Sequence, residues 1–331
     1  MNTGNPLEPG RRLFPKVACG TPHKENRVSF GETDLPSLKL TITADDFGFS
    51  PSVNEAVFRA AEFGTLGAAS LMPNMPFAGE AAAAVKQRTP YLPLGLHFTL
   101  TSGTPCAPKE EIPLLVDGNG RFRHGFGSLF QLLRDKNAAE AKCQIQREFA
   151  AQIAEADRLA KEHGVEFTRL DSHQHIHVLP GIFETLHAAA KQRGWTLRVP
   201  RERFGSVGRF LRRGLFWGAT GLLKRAILNS FLPAVEGPDY FGILDTGKMD
   251  AAAWNAIFAV LNRTATEINV HPSLAPGVDE GGWCCSNADR VFHRSAWRRR
   301  EFDAIVNDEF RKRLEAYSFS ASAFDALIDE P

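Results

Sequence analysis

Cysteine is scarce in this sequence. Its five cysteines are scattered along 331 residues, and none forms a C-x-x-C pair. Disulfide frameworks and cysteine zinc clusters need cysteines at short, regular spacings, so both are disfavoured. The usage is that of a reducing compartment, and we predict a cytoplasmic protein, with the inner membrane surface as an alternative location.

Net charge and long apolar runs are lacking as well. Lys and Arg number 39 against 38 Asp and Glu, a formal net charge of +1, which argues against nucleic acid as the main partner. The sequence contains no run of about 18 uncharged apolar residues, so no segment is expected to span a membrane.

The N-terminus has no apolar core of a secretory signal. Residues 1–37 show no hydrophobic period, and we predict a poorly ordered extension there.

From residue 38 onward, strand-like apolar runs alternate with helical patterns. Strands are predicted at 38–44, 67–72, 94–100, 166–172, 195–199 and 266–270, and helices at 51–63, 78–88, 138–163, 180–194, 250–262 and 296–316. Repeated β-then-α units predict a parallel sheet, open or closed into a barrel. In such folds ligands bind at the carboxyl ends of the strands. Residues 38–331 are therefore expected to form a single domain with its site on that rim.

Two adjacent aspartates, Asp45 and Asp46, follow the first predicted strand in I-T-A-D-D-F-G-F-S. Successive strand residues point to opposite faces, so neighbours share a face only where the chain turns, as Phe47-Gly48 allows. One interpretation is a solvated loop before the next helix. The other is a metal ligand beside a free base.

Histidines lie at the ends of two further strands. His97 is late in the apolar run G-L-H-F-T-L, where a hydrogen-bonded core histidine is the alternative to a ligand. The segment D-S-H-Q-H-I-H at 171–177, if extended, would place Asp171, His173, His175 and His177 on one face. Three imidazoles this close favour metal binding by zinc, iron, manganese or nickel, or by magnesium if oxygens dominate. His175 and His177 could instead lie in a loop.

In T-E-I-N-V-H-P, Glu267, Asn269 and His271 alternate with apolar residues and share one strand face. The alternative is an edge strand whose polar face is in contact with water. Pro272 ends the strand and places His271 on the rim.

The segment 201–232 combines seven Arg or Lys residues with one Glu and interleaved Phe, Leu and Trp. Such a stretch is typical of a helix on an anionic membrane surface. The alternative is a helical excursion packed on the barrel with its arginines in water, which is favoured because internal glycines weaken a continuous helix.

Four motifs, in order, resemble the YdjC-like family of carbohydrate deacetylases, which includes chitooligosaccharide deacetylases. They are T-A-D-D-F-G, G-L-H-F-T-L-T-S-G-T-P, L-D-S-H-Q-H-I-H-V-L-P and T-E-I-N-V-H-P, and the resemblance covers 38–316. The stretches A-A-S-L-M and E-I-P-L-L-V-D-G-N-G-R-F look closest to the hopanoid-biosynthesis-associated branch, HpnK. Thr43 stands where the family often has Asn, and Ser273 where it often has Gly.

The resemblance implies a (β/α) barrel-like fold, similar to a TIM barrel, with a helical insertion at about 201–232. It also implies a divalent metal, Mg or Zn, held by Asp46, His97 and His173. Asp45 would be the general base, and His271 an acid or an oxyanion-stabilising group.

The implied reaction removes the N-acetyl group from an N-acetylated amino sugar, an oligosaccharide or a lipid-linked glycoside, and releases acetate. Peripheral membrane contact through 201–232 and a homodimer are open expectations. Three alternatives stay open: a metal phosphoesterase, a glycosidase using Asp45 and Glu267, and a non-catalytic sugar- or lipid-binding protein.

Overall fold

The computed structural model describes residues 40–202, 237–261, 265–275, 287–315 and 317. Seven parallel strands form one sheet: β1 Leu40–Phe47, β2 Ala68–Leu71, β3 Leu94–Phe98, β4 Phe167–Ser172, β5 Thr196–Leu197, β6 Asp239–Phe241 and β7 Thr266–Val270. Their order in the sheet is β5-β4-β3-β2-β1-β7-β6. A parallel bridge from Glu202 to Tyr240 joins the chain after β5 to β6, so the two edges approach each other. The predicted barrel-like α/β fold is confirmed.

Nine α-helices lie between or after these strands in the described part of the chain. They are α1 Pro51–Glu62, α2 Ala78–Arg88, α3 Phe126–Leu132, α4 Ala138–His163, α5 Ile182–Arg193, α6 Ala251–Phe258, α7 Asn287–His293, α8 Trp297–Ile305 and α9 Asp308–Glu315. Helix α1 begins as its sequence predicts, because Ser50 Oγ accepts from the Val53 amide at 3.3 Å and Pro51 occupies the first turn. None of the described helices is long and apolar enough to cross a bilayer.

Alternation along the strands separates two environments. Leu40, Ile42 and Ala44 of β1 and Ile268 and Val270 of β7 are fully buried in the main apolar cluster with residues of the helices. The side chains between them are polar and point to the concave face of the sheet. That face is where the candidate site lies.

Several elements differ from the sequence expectation. The charged helix predicted at 296–316 is two helices, because Asn307 caps a new one by accepting from the Phe310 amide at 2.9 Å. The short elements β6, α3 and α7 were not predicted, since three to seven residues show too little periodicity. Of the predicted extension 1–37 and insertion 201–232, only Arg201 and Glu202 fall within the described residues.

Candidate active site

A β-bulge turns both neighbouring aspartates into the site. Ala44 pairs with Ala69 and Phe47 with Leu71, so β1 takes three steps where β2 takes two. The extra residue lies within Asp45–Asp46, and Asp46 adopts a left-handed backbone with φ of 64°. This conformation is uncommon outside glycine, although Asp tolerates it better than most residues. The bulge is why neighbours that should face opposite sides can serve one site.

Asp46, His97 and His173 converge at the carboxyl ends of β1, β3 and β4. All three side chains are buried. Asp46 Oδ1 lies 2.9 Å from His173 Nδ1 and 3.6 Å from His97 Nε2. The structure therefore brings the three predicted metal ligands together around one carboxylate oxygen.

Each of these three side chains has a second partner on its far side. His97 Nδ1 is 2.6 Å from Asp171 Oδ1, and His173 Nε2 is 3.1 Å from Asp289 Oδ1. Arg298 Nη1 lies 3.1 Å from Asp46 Oδ2. These contacts leave one atom of each side chain directed at the common centre, the arrangement in which outer partners orient metal ligands.

Unsatisfied atoms at this centre fit a cation. Among the described residues, neither oxygen of Asp46 nor Nε2 of His97 has a hydrogen-bond partner of good geometry, although all three atoms are buried. A buried polar atom without a partner is costly, and a divalent cation at the centre would satisfy Asp46 Oδ1 and His97 Nε2, whereas Arg298 already faces Asp46 Oδ2. Two imidazoles and a carboxylate are a donor set used for zinc and other transition metals.

Grouping by distance alone divides the predicted ligands between two clusters. Asp46, His173 and His293 form one, and Asp45, His97 and Asp171 form the other, each with ligand atoms within 4.8 Å of one another. In the second cluster both carboxylates are already paired with Arg198. The buried atoms without a hydrogen-bond partner include His293 Nε2 as well as His97 Nε2 and both oxygens of Asp46, so the choice of His97 over His293 rests on the family resemblance and stays a prediction.

Charge pairing keeps this cluster ionised. Burial opposes the charge on Asp46, but the cations His173 and Arg298 hold the pKa of that carboxyl well below its usual value. Burial also opposes the charge on His97, but Asp171 and Asp45 raise the pKa of its imidazole to about 9. Asp289 and Asp46 raise that of His173 to about 10. A cation that binds these imidazoles must therefore displace protons.

Asp45 is held on the other side of the bulge. Both of its oxygens accept from Arg198, at 2.9 and 2.8 Å, and Asn269 Nδ2 lies 3.2 Å from Oδ2. His271 Nε2 is 3.8 Å from the same oxygen. Burial lowers the pKa of His271 to about 4, so its imidazole is neutral near pH 7. The predicted base and acid are therefore neighbours beside the ligand cluster.

The polar side chains of β7 line the interior of the sheet. Glu267 and Asn269 are fully buried, His271 is nearly so, and β7 lies between β1 and β6, which rules out a solvated edge. The contacts of Asn269 and His271 with Asp45 place both on the inner face. Glu267 Oε1 accepts from Thr43 Oγ1 at 2.9 Å, Arg169 Nη2 at 2.9 Å and Arg198 Nε at 3.1 Å.

Of the two interpretations of 171–177, the structure shows the loop and not the extended run. Strand β4 ends at Ser172, and Gln174 and His175 have φ of 56° and 57°. His177 turns back, with Nδ1 2.6 Å from Ser172 Oγ and Nε2 3.1 Å from the Arg198 carbonyl oxygen. His175 packs edge-on against Tyr240, with ring centroids 5.8 Å apart. Neither histidine joins the ligand cluster.

Sequence reasoning missed four residues that contact the cluster: Arg198, Asp289, His293 and Arg298. Arg198 directly follows β5, so the strand-end rule that found the other rim residues could have found it. The remaining three come from α7 and α8, where nothing in the local sequence indicates that they face a site on the sheet.

The sequence profile of the family described as YdjC-like protein matches residues 39–316. A mouse carbohydrate deacetylase is 30% identical over 320 residues, covering 88% of this chain and 96% of its own. A Yersinia pestis chitooligosaccharide deacetylase is 29% identical, covering 74% of this chain and 95% of its own.

Other matches are partial or more distant. A Brevibacillus brevis carbohydrate deacetylase is 33% identical over 163 residues, which are 49% of this chain and 60% of that relative. A solved structure from Enterococcus faecalis V583, provisionally described as a cellobiose-phosphate cleavage protein, superposes with a TM-score of 0.58 at 21% identity. It covers 88% of this chain and 99% of its own. At that identity the likeness supports the fold alone.

Proposed function

Because this chain belongs to the YdjC-like protein family, we propose that it is a carbohydrate N-deacetylase, a metal-dependent hydrolase that releases acetate from an N-acetylated amino sugar. The observation that carries the proposal is the convergence of Asp46 Oδ1, His97 Nε2 and His173 Nδ1 beside the pair Asp45 and His271. The names of the mouse and Yersinia relatives supply the reaction and the class of substrate.

In this proposal Asp46, His97 and His173 hold the cation. When bound, a divalent ion supplies Lewis-acid polarisation of an acetyl carbonyl and lowers the pKa of a water molecule from about 16 toward about 7. Two nitrogen donors and one oxygen donor fit zinc better than magnesium. Metal reconstitution should therefore be tested with zinc and with magnesium.

Asp45 accepts the proton of the attacking water as a bond forms to the acetyl carbon. Its bidentate pair with Arg198 fixes the direction of the carboxylate. His271 is neutral at rest, so the proton that it donates to the departing amine comes from Asp45, which requires the 3.8 Å between Nε2 and Oδ2 to shorten to hydrogen-bond distance. The C–N bond then breaks to give acetic acid and the amine, and transfer of the acid proton to the amine leaves acetate and an ammonium group.

The glycosidase alternative, with Asp45 and Glu267 as the acid–base pair, fits the geometry poorly. Glu267 lies fully buried beneath the site, where three donors already engage one of its oxygens. Asp45 and Glu267 moreover bind the same arginine, Arg198. The buried Glu267 is thus not placed to flank a glycosidic bond together with Asp45.

The proposal is tested by measuring acetate release from a panel of N-acetylglucosamine conjugates, before and after chelation and with zinc or magnesium restored. Soluble oligosaccharides and lipid-linked glycosides in the panel also test the finer HpnK prediction. Metal-loaded protein that releases no acetate from any conjugate would favour a binding protein. Activity on phosphate esters alone would favour a phosphoesterase.

Four variants test the assignment of roles. Asp45→Asn is expected to retain the metal and to lower kcat about 10²- to 10⁴-fold, because it removes only the general base. Asp46→Asn, His97→Ala and His173→Ala are expected to lose the metal as well. Metal content is measured by atomic emission on the purified proteins. Equal metal loss in all four would contradict the separation of base from ligands.

A further inference from the structure

The His173 imidazole lies between two carboxylates. Its Nδ1 is 2.9 Å from Asp46 Oδ1, and its Nε2 is 3.1 Å from Asp289 Oδ1. Asp289 is 116 positions further along the chain, in α7, and is 4% exposed. The family motifs around His173 do not include it, and the proposed mechanism does not use it.

Asp289 is itself held in place. Ser102 Oγ donates a short hydrogen bond to Asp289 Oδ2, and His293 Nε2 lies 3.6 Å from Oδ1. The Ser102 carbonyl oxygen accepts from Asn74 Nδ2 at 3.0 Å, which fixes the chain after β3. Polar contacts from two loops and one helix thus set the direction of the Asp289 carboxylate.

The two candidate ligand histidines, His97 and His173, are held in place by different parts of the structure. His97 lies inside β3, and its carboxylate partner Asp171 lies on the paired strand β4 at the register position opposite it. His173 lies just past the end of β4, before the left-handed residues Gln174 and His175. The ladder therefore positions His97, whereas His173 depends on its side-chain partners.

We propose that Asp289 is the positioning residue of His173 in the metal site. By accepting from Nε2–H, it selects the tautomer whose Nδ1 lone pair faces the cation and increases the basicity of that nitrogen. Helix α7 then completes a site that is otherwise built on the sheet. The inference rests on the proposed function in that it takes His173 as a ligand.

Metal affinity of the full-length chain tests this inference. Apo-protein is titrated with zinc against a chromophoric chelator, and the cobalt-loaded form is recorded by visible absorption. Asp289→Ala is expected to weaken zinc binding about 10- to 100-fold and to change the cobalt spectrum. Asp289→Asn keeps an acceptor but loses the charge, so an intermediate loss is expected. Asp308→Asn, which removes an exposed carboxylate of α9, is the matched control and should bind as the wild type does.

Circular dichroism and thermal unfolding of the apo-proteins separate folding from metal binding. If Asp289→Ala does not fold, Ser102→Ala replaces it, because this variant removes only the hydroxyl that holds Asp289 Oδ2. A severalfold loss of affinity is expected there.

Unchanged affinity and an unchanged cobalt spectrum in the folded variants would overturn the positioning role. Wild-type protein that binds metal but releases no acetate would overturn the proposed function and leave the role of Asp289 intact. Wild-type protein that binds no divalent cation would overturn both.

Discussion

The two faces of the sheet use the same strands for opposite purposes. On β1, Ile42 is fully buried against helices in the apolar cluster, while the next residue, Thr43, donates to Glu267 on the concave side. On β7, Ile268 packs outward and Asn269 reaches Asp45. The outer face is stabilised by apolar burial, and the inner face carries paired charges.

The polar interior of this protein is organised around one arginine. Arg198 contacts Asp45, Asp171 and Glu267, and all four side chains are buried. Ionic groups away from water carry a desolvation cost that even good pairing barely repays, so such a network is weak as a source of stability. Burial of the apolar outer face offsets that cost, and the paired charges hold the side chains of the site in fixed positions.

Replacement of Arg198, the arginine shared by the three buried carboxylates, should have the largest effect. Arg198→Met leaves three buried carboxylates without their shared partner, and we expect the free energy of unfolding to fall by about 3–5 kcal/mol. Denaturant unfolding measures it.

The matched control is Arg193→Met. Arg193 forms an equally close bidentate pair with Asp157, but on the surface between α5 and α4, so a loss of at most about 1 kcal/mol is expected. Similar losses at the two sites would contradict the contrast between a buried network and a surface pair.

Glu148 is a buried carboxylate of a different kind, because its hydrogen-bond donors in the described part of the chain are neutral. They are Gln152 and the amides of Cys106 and Ala107. Burial raises the pKa of Glu148 to about 7 from 4.5, the reverse of the shift at Asp171, whose pKa Arg198 and His97 lower. The folded state thus holds the proton more tightly than the unfolded state between these two values. Stability from this group is complete below about pH 4.5 and is lost as the pH rises through 7.

The corresponding variant is Glu148→Gln, which cannot titrate. Between pH 4.5 and 8 the wild type should lose up to about 3 kcal/mol of unfolding free energy relative to the variant. Denaturant unfolding at several pH values gives the two profiles. Parallel profiles would show that Glu148 does not titrate in this range.

The smallest effect is expected on the outer face. Ile42→Val removes one buried methylene group and should cost about 0.5–1.5 kcal/mol, with metal affinity unchanged. Thermal unfolding and zinc titration measure the two quantities. A loss of metal affinity would show that the apolar face also sets the geometry of the inner one.

Much of this arrangement could be predicted from local patterns. Helices α2 and α4 begin and end where their sequences predict, and β7 has its predicted bounds. Asp45, Asp46, His97, His173 and His271 were all placed on the rim by the strand-end rule. For His175 and His177 two interpretations stayed open, because alternation in D-S-H-Q-H-I-H applies only to an extended chain, and the left-handed pair Gln174 and His175 ends the strand.

Local sequence patterns were enough to predict the alternation of strands and helices and the residue types at the strand ends, because hydrophobic period and capping act over a few neighbouring residues. Which of these residues share a centre depends instead on long-range packing. The bulge that aligns Asp45 with Asp46 depends on pairing with β2. Sequence separations of 116 to 252 positions divide Asp45, His173 and Asp46 from their partners Arg198, Asp289 and Arg298. Packing that no local pattern encodes brings these pairs together.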